Sequence, residues 1–456
     1  MRNLIGSAPS HLLSPVVPLI RCPGTLTPRS PTPLVEAPMS DDAPTPAASS
    51  TDSPPPRRRS RRRVVVWTSL CLAAALIACL GTAYVYYRSL RANMVHHDLT
   101  ALLPEEERPP KIGDAVNILF IGSDGREGGN AAYGGRDFVG ERSDSLLLAH
   151  ISPDNGVIVV SFPRDSLVNL PDCDPYGETE GTYGYYGMIN AALFHGGPPC
   201  VVKTIESLTQ IRVDHFVHLS FVGFREMVDS IGGVEMCIPE PMHDQRAKLD
   251  LEAGTQVLDG EQALAFVRAR YEIGDGGDLG RIDRQQMFLG ALASQVLSSR
   301  VLANPVKLNA LLDSVTRYTA TDAELTLDTM LSIGFTLSDV EPRNITFYTV
   351  PSWPAPWDPN RVVWNEEKAA RLFHAINEDE PVDDALLETG RPQAEPSPSA
   401  DLTPSYPAEP STDPSVHHEP VPSATPHDAI EGRDATANPC VNGLGLGTET
   451  TGTQGW

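Results

Sequence analysis

The sequence predicts an α/β fold, a central mixed sheet covered by helices on both faces, preceded by one transmembrane helix and flanked by disordered tails. Three observations predict it. Prolines and small polar residues crowd both ends of the chain. An uncharged apolar run fills 64–87. Between 116 and 377, short β-branched runs alternate with segments of helical periodicity, as in a sheet with helices packed on it.

Residues 1–63 come first. SPTPLVEAP and TDSPPP offer too little apolar surface to offset chain entropy, which predicts a disordered cytoplasmic tail. It ends in six arginines at 57–59 and 61–63. The run VVVWTSLCLAAALIACLGTAYVYY (64–87) follows. As a helix it would reach about 36 Å, enough for a bilayer core of roughly 30 Å. Arginines outnumber other charges on its N-terminal side, so the positive-inside rule predicts a single-pass cell-membrane protein, N-terminus cytoplasmic and the rest extracellular. Two processing alternatives stand beside the uncut anchor: a small-x-small site at Gly81-Thr82-Ala83, and a lipoprotein-like box at Leu76-Ile77-Ala78-Cys79. Residues 88–115 read as an extracellular linker. Residues 378–456 carry 15 acidic and 2 basic residues among many prolines, which predicts a second disordered tail.

The chain has a formal charge of −24, and residues 88–377 hold 24 basic against 40 acidic residues. Such a domain repels a phosphate backbone, which argues against nucleic acid as a partner. It also makes any cluster of arginines stand out. Four cysteines, Cys173, Cys200, Cys237 and Cys440, fall on the extracellular side, where disulfides persist. Cys173 and Cys200 flank a Gly/Tyr-rich stretch, YGETEGTYGYYG, and closing that loop is the simplest use of the pair. No cysteine spacing suggests zinc.

Within the single domain 116–377, VNILFIG (116–122), SLLLAHI (145–151) and GVIVVSF (156–162) read as buried strands. Pro153-Asp154-Asn155-Gly156 turns the last two into a hairpin. A helix follows Pro199, HFVHLSF (215–221) is a strand, and GFREMVDSIGG is a helix closed by glycine. Helices are predicted over 260–268 and 281–297, a late strand over 344–350 and a final helix over 365–376.

Polar residues gather at the strand ends. Asp124 and Arg126 follow the first strand, Arg142 and Asp144 precede the second, and Arg164 and Asp165 follow the third. Further on come Arg268, Arg270, Arg281, Arg284 and Gln285. Ligands in α/β sheets sit at strand ends, and guanidinium forks suit phosphate oxygens. Arg268 and Arg270 alternate, so an extended segment would aim both the same way. Arg281 and Gln285 share a helix face. Asp124 and Asp144 could share one divalent cation, and Mg²⁺ typically takes one or two carboxylates plus substrate phosphates. Taken singly, each arginine reads as an ordinary surface ion pair, Asp124 as a turn residue and Asp144 as a cap. His195 reads as a helix-end residue.

Jointly, the order GSDxR, RSD, SxPRDS, INAA…GGP, VDH, DSIGGV, LxGEQALxFxRxR and GDLGRIDRQQ resembles the LytR-CpsA-Psr family of cell-wall polymer ligases, over about 117–297. The resemblance implies an α/β/α fold with an apolar groove for a polyprenyl chain. It also implies a Mg²⁺-dependent phosphotransferase, with Mn²⁺ as the alternative ion. Such an enzyme moves a glycopolymer from a polyprenyl-pyrophosphate carrier to a peptidoglycan hydroxyl, beside the membrane lipid that anchors it. By motif match, Arg142, Arg164, Arg268, Arg270, Arg281 and Gln285 would hold the pyrophosphate, with Arg126 and Arg284 in support. Asp124 and Asp144 would hold the metal. Asp165 is the positional candidate for a base. Met188 stands where relatives often carry Lys, and Thr255 where the partner of a cysteine like Cys237 often sits, leaving Cys237 unpaired or bound to Cys440. Two other readings are a pyrophosphate hydrolase using the same site and a non-enzymatic envelope regulator or lipid-binding module.

Overall fold

The computed structural model describes residues 58–123, 141–154, 156–270, 277–297, 301, 304–382 and 432–442. Asp124 and Arg126 lie outside them. The first compact unit, Met1–Cys71, contributes the start of a helix that runs Arg58–Asn93. Its apolar stretch is long enough to cross a membrane, and residues 62–86 are exposed throughout. The second unit, Leu72–Trp456, carries the sheet.

Eight strands form that sheet, in the order Val95–His97, Thr319–Asp322, His215–Ser220, Val116–Ser123, Ser143–Ser152, Gly156–Phe162, Ile345–Thr349 and Arg433–Asp434. The 116–123 strand is parallel to 215–220 and antiparallel to 143–152, and 156–162 is parallel to 345–349. The sheet is therefore mixed. Successive side chains of a strand point to opposite faces, and the core divides accordingly. Leu119, Ile121, Leu148 and Val160 pack with helices Ala191–Thr209 and Glu366–Asn377. Ile118, Ile151, Val157 and Val159 pack with Leu289, Ala293 and Leu297 of helix Asp278–Leu297 and with Ile333 and Leu337 of helix Leu327–Ser338. A third core joins helices Phe221–Ser230 and Gly260–Arg268 to the hairpin Val234–Ile238/Gly254–Leu258.

Local chemistry sets the element ends. Asp259 accepts from the Gln262 N–H, and Gln262 returns a bond to the Asp259 N–H, a capping box that starts helix 260–268. Asn304 and Asn365 cap helices Pro305–Tyr318 and Glu366–Asn377. Helix 191–209 kinks at Gly196-Gly197, just before Pro198 and Pro199. Gly197 has φ +61°, and a Cβ there would lie 2.5 Å from the Tyr176 ring, so glycine is required twice over.

Two sequence expectations change, and one left open is decided. Residues 88–115 are not a bare linker: the helix continues to Asn93, and 95–97 forms the sheet's edge strand, parallel to 319–322. A short run of three residues gave too little periodicity to read. The tail 378–456 is not unstructured throughout: Arg433–Asp434 pairs with Thr346 and Phe347, and Ala435 is buried. The Cys173–Cys200 disulfide is present, and Cys237 pairs with Cys440 across 203 residues. That bond holds the C-terminal segment, which sequence composition alone could not dock.

Candidate functional site

Strands 143–152 and 156–162 are antiparallel neighbours, so the start of one lies beside the end of the other. Asp144 and Arg164 thus meet, Arg164 Nη1 bonding Asp144 Oδ1. Asp278, at the first position of helix 278–297, reaches the same place. Its Oδ2 accepts from the Arg164 backbone N–H at 3.2 Å, and its Oδ1 lies 3.6 Å from Arg164 Nε. One turn on, Arg281 Nη2 bonds Asp278 Oδ1, and it also donates to the Asp144 carbonyl at 3.3 Å. Asp165 gathers three guanidiniums, Arg361 at 3.1 Å, Arg270 at 3.7 Å and Arg164 at 3.8 Å. Arg270 and Arg164 share Asp165 Oδ2, so their nitrogens lie within about one Debye length, roughly 8 Å. A small cavity opens here, lined by Asp144, Ser145, Arg164, Asp278, Arg281 and Gln285 among others.

The cluster is charged and nearly dry. The Arg164 side chain is 21% exposed, Arg281 6%, Asp165 8% and Asp278 5%. Burial works to lower the Arg164 pKa, but Asp144, Asp278 and Asp165 outweigh it and hold the group above the usual guanidinium value. For Arg281 burial wins: its pKa falls below the usual value despite Asp278, with Arg164 adding repulsion. Two donors remain unused. Arg164 Nε and Arg281 Nε are buried with no hydrogen-bond acceptor among the described residues. Buried polar groups are normally satisfied, so the pair of orphaned guanidinium N–H groups marks donors that the fold leaves without acceptors.

Other predicted residues are dispersed. Arg268 ends a helix rather than lying in an extended segment, so it does not share Arg270's direction. Its guanidinium stacks 4.5 Å over Phe221, while Arg270 turns to Asp165. Arg142 lies 5.8 Å over Phe194. Gln285 donates to the Val267 carbonyl at 3.1 Å and accepts from Ser145 at 3.4 Å. Arg284, expected to face the ligand, is 1% exposed and donates to the Ala269 carbonyl at 2.5 Å. It sets the backbone that carries Arg268 and Arg270. Asp144 is the described half of the predicted metal pair, and its Oδ2 accepts no hydrogen bond among the described residues.

Sequence reading missed Asp278 and Arg361. The i,i+3 spacing of Asp278 and Arg281 in GDLGRID was a usable signal. Arg361 carried none, since its partner Asp165 is 196 residues away. Also missed were Ser143 and Asn190, whose buried side-chain oxygens lack partners among the described residues, and Ser123, whose hydroxyl helps hold the Glu141 carboxyl below its usual value. Ser123 stands opposite Ser143, and the Ser143 N–H reaches the Asn190 carbonyl at 3.5 Å.

A model described as "LytR_cpsA_psr family" matches residues 84–375. The chain is 38% identical over 200 residues to "Probable cell wall biosynthesis protein LcpB" of Corynebacterium glutamicum, covering 42% of this chain and 44% of that protein. It therefore spans less than half the length of that relative. It is 28% identical over 291 residues to "Polyisoprenyl-teichoic acid--peptidoglycan teichoic acid transferase TagV" of Bacillus subtilis, covering 61% and 69%. The crystal structure of B. subtilis TagV is similar with TM-score 0.46 at 25% identity, over 59% of this chain and 99% of that one.

Proposed function

The chain belongs to the LytR-CpsA-Psr family, and from that membership we propose that it is a membrane-anchored phosphotransferase of the cell envelope. It moves a glycopolymer from a polyprenyl-pyrophosphate carrier to a peptidoglycan hydroxyl. The acceptor oxygen forms a bond to the sugar-linked phosphorus, the P–O–P bridge breaks, polyprenyl phosphate leaves, and the hydroxyl proton is lost. The observation that carries this reading is the cluster of Arg164, Arg270, Arg281 and Arg361 around Asp144, Asp165 and Asp278, buried at Arg281, Asp165 and Asp278 and half-buried elsewhere, with two guanidinium donors unused. The name of the TagV relative supports the choice of substrate class.

In this reading Arg164 and Arg281 turn their orphaned Nε–H groups to phosphate oxygens, and Arg270 supplies a third fork. Fixed donors aimed at charge that develops in the transition state are commonly the largest catalytic contribution. Asp165 orders the forks through its three ion pairs. Gln285 lines the cavity from the helix side. Arg142 and Arg268 reach the diphosphate only by leaving the faces of Phe194 and Phe221, which places them at its periphery. The oxygen donors suit a hard divalent cation, and Asp144, with one carboxylate oxygen uncommitted, would hold Mg²⁺ together with Asp124. When bound, the ion neutralises charge on the phosphoryl oxygens.

The test uses the full chain in membranes with Mg²⁺, a polyprenyl-pyrophosphate-linked glycan and peptidoglycan. The expected products are glycan joined to peptidoglycan by a phosphodiester, and polyprenyl phosphate. Polyprenyl phosphate with free glycan phosphate would make it a hydrolase. No turnover, with lipid binding indifferent to Asp144→Ala, would make it a binding module.

A further inference from the structure

The phosphate cluster leaves the Gly/Tyr-rich stretch unexplained. It forms one strand, Thr182–Met188, of a hairpin with Leu167–Cys173. Tyr183, Tyr185 and Tyr186 are 103%, 43% and 52% exposed. A soluble surface rarely spends adjacent aromatics this way without a partner.

Three features show that this aromatic face is built. First, the hairpin is rigid. The Cys173–Cys200 disulfide ties its far end to helix 191–209, and the Gly181 N–H donates to the His195 carbonyl at 2.9 Å. Second, the Tyr185 ring is held in one place. It lies across Gly187, where a Cβ would fall 2.2 Å from the ring, its hydroxyl bonds His195 Nε2 at 2.8 Å, and the His195 ring meets it edge-on at 5.3 Å. Third, the base of the hairpin adjoins the phosphate cluster. At the hairpin's base Met188 pairs with Leu167, two residues beyond Asp165, and the Ile189 N–H donates to the Ser166 carbonyl. The Arg142 charge is felt at Tyr185 and His195, although burial is the larger influence on both, raising the phenol and lowering the imidazole. Tyr183 and Tyr185 are two apart in the strand, about 7 Å along it, with Gly184 at φ +80° between them.

We propose that this tyrosine face is the acceptor subsite, on which sugar rings of the peptidoglycan glycan strand stack against Tyr183 and Tyr185 while a hydroxyl is presented to the phosphate cluster. The assignment rests on the transferase reading above. The chemistry favours a glycan. A pyranose has one face of C–H bonds that lies on an aromatic ring and a rim of hydroxyls that seeks polar groups. Tyrosines offer both, a ring and a hydroxyl. A lipid chain would gain nothing from the phenol hydroxyls.

The experiment measures two bindings with the full chain in nanodiscs: soluble glycan-strand fragments of peptidoglycan, and polyprenyl pyrophosphate. Tyr183→Ala is fully exposed and leaves the fold intact. It is expected to weaken glycan binding about five- to tenfold, and Tyr183→Ala with Tyr185→Ala more. Tyr185→Phe keeps the ring and is expected to retain most of the binding. Gly187→Ala, which pushes the Tyr185 ring aside, is expected to weaken it like Tyr185→Ala. Glycan binding that is absent from the unaltered chain, or equal in the tyrosine variants, overturns the subsite and leaves the transferase reading standing. Loss of phospholipid-vesicle binding in the variants also overturns it. Failure of the unaltered chain to bind polyprenyl pyrophosphate overturns the transferase reading itself, and the subsite with it.

Discussion

Two ion networks in this domain pair guanidiniums with carboxylates and differ in completion. Arg108 meets Glu206 with both nitrogens of its fork: Nε lies 3.1 Å from each carboxylate oxygen, Nη2 2.6 Å from one of them, and Nη2 also reaches the Val213 carbonyl at 2.5 Å. Glu206 also accepts from the Val213 N–H at 2.9 Å. This pair ties the segment before the first central strand to helix 191–209 and to the entry of strand 215–220. The Arg164 network has three carboxylates and four guanidiniums, yet two guanidinium donors have no acceptor among the described residues. A saturated network is a brace. An unsaturated one is stable only when the surrounding fold imposes it, and such places are where function resides.

The largest test of the contrast crosses the two networks. Arg164→Ala is expected to cut transfer about 10²- to 10³-fold, because it removes a donor aimed at developing charge. Two of its three carboxylate partners keep other cations, with Asp278 on Arg281 and Asp165 on Arg270 and Arg361, and the Asp144 side chain is partly exposed to water, so unfolding in urea should shift little. Arg108→Ala is expected to do the reverse. It strands Glu206 in the core and costs about 3–5 kcal/mol of stability, while the folded fraction keeps its turnover. Both variants losing transfer at unchanged stability would erase the distinction.

The two disulfides extend it. Cys237–Cys440 closes 203 residues and Cys173–Cys200 closes 27. Loop-closure scaling makes the longer one worth about 1–2 kcal/mol more. It also docks the Arg433–Asp434 strand, whose Arg433 lies 3.6 Å from Asp283 on the site helix, and Ser294 of that helix donates to the Ala435 carbonyl. Cys440→Ser is expected to lower stability by about 2–4 kcal/mol, read by thermal melts with and without reductant. The unaltered chain under reductant should fall below the variant, since it loses both bonds.

Within the cluster a smaller effect is expected. Arg361→Ala removes a positioning residue that touches Asp165 but does not line the cavity. Transfer should fall about tenfold through kcat, with the donor KM little changed. Rescue by Arg361→Lys would be partial, because an ammonium lacks the fork.

Much of this architecture was legible, for a physical reason. Strands 116–123, 143–152 and 156–162 are covered on both faces over most of their length, Phe120 being exposed, so they read as continuous apolar runs. Helix 260–268 was read by its span, and the structure adds the Asp259 capping box that starts it. The edge pieces were silent. Strands 95–97, 319–322 and 433–434 are short, and their pairing partners are distant in the chain. At the site, residues beside motif strands were visible, as Asp144, Arg164 and Asp165 were. Orientation was not: the alternation of Arg268 and Arg270 implied one shared direction, and the helix end at Arg268 separates them. Arg361 depended wholly on tertiary folding.

Asp322 supplies the smallest test, on the saturated side of the comparison. It is 2% exposed, one strand in from the sheet's edge, and accepts from the backbone N–H groups of Phe216 at 3.0 Å and Leu325 at 2.9 Å, with His215 Nδ1 at 3.0 Å. Burial raises its pKa, but the His215 bond and charge and the backbone donors outweigh burial and hold it below the usual 3.8. A depressed carboxylate contributes stability that is present above its unfolded value and is lost as pH falls through its folded value. The loss therefore belongs to the acid side of pH 3.8. Asp322→Asn should be less stable than the unaltered chain at neutral pH, and the gap should close as acid protonates Asp322, in urea titrations run down the pH scale. Turnover per folded molecule should not change, because every donor around Asp322 serves the fold. A gap that persists undiminished at low pH would mean that the carboxylate charge contributes nothing there, and that shape alone holds the edge.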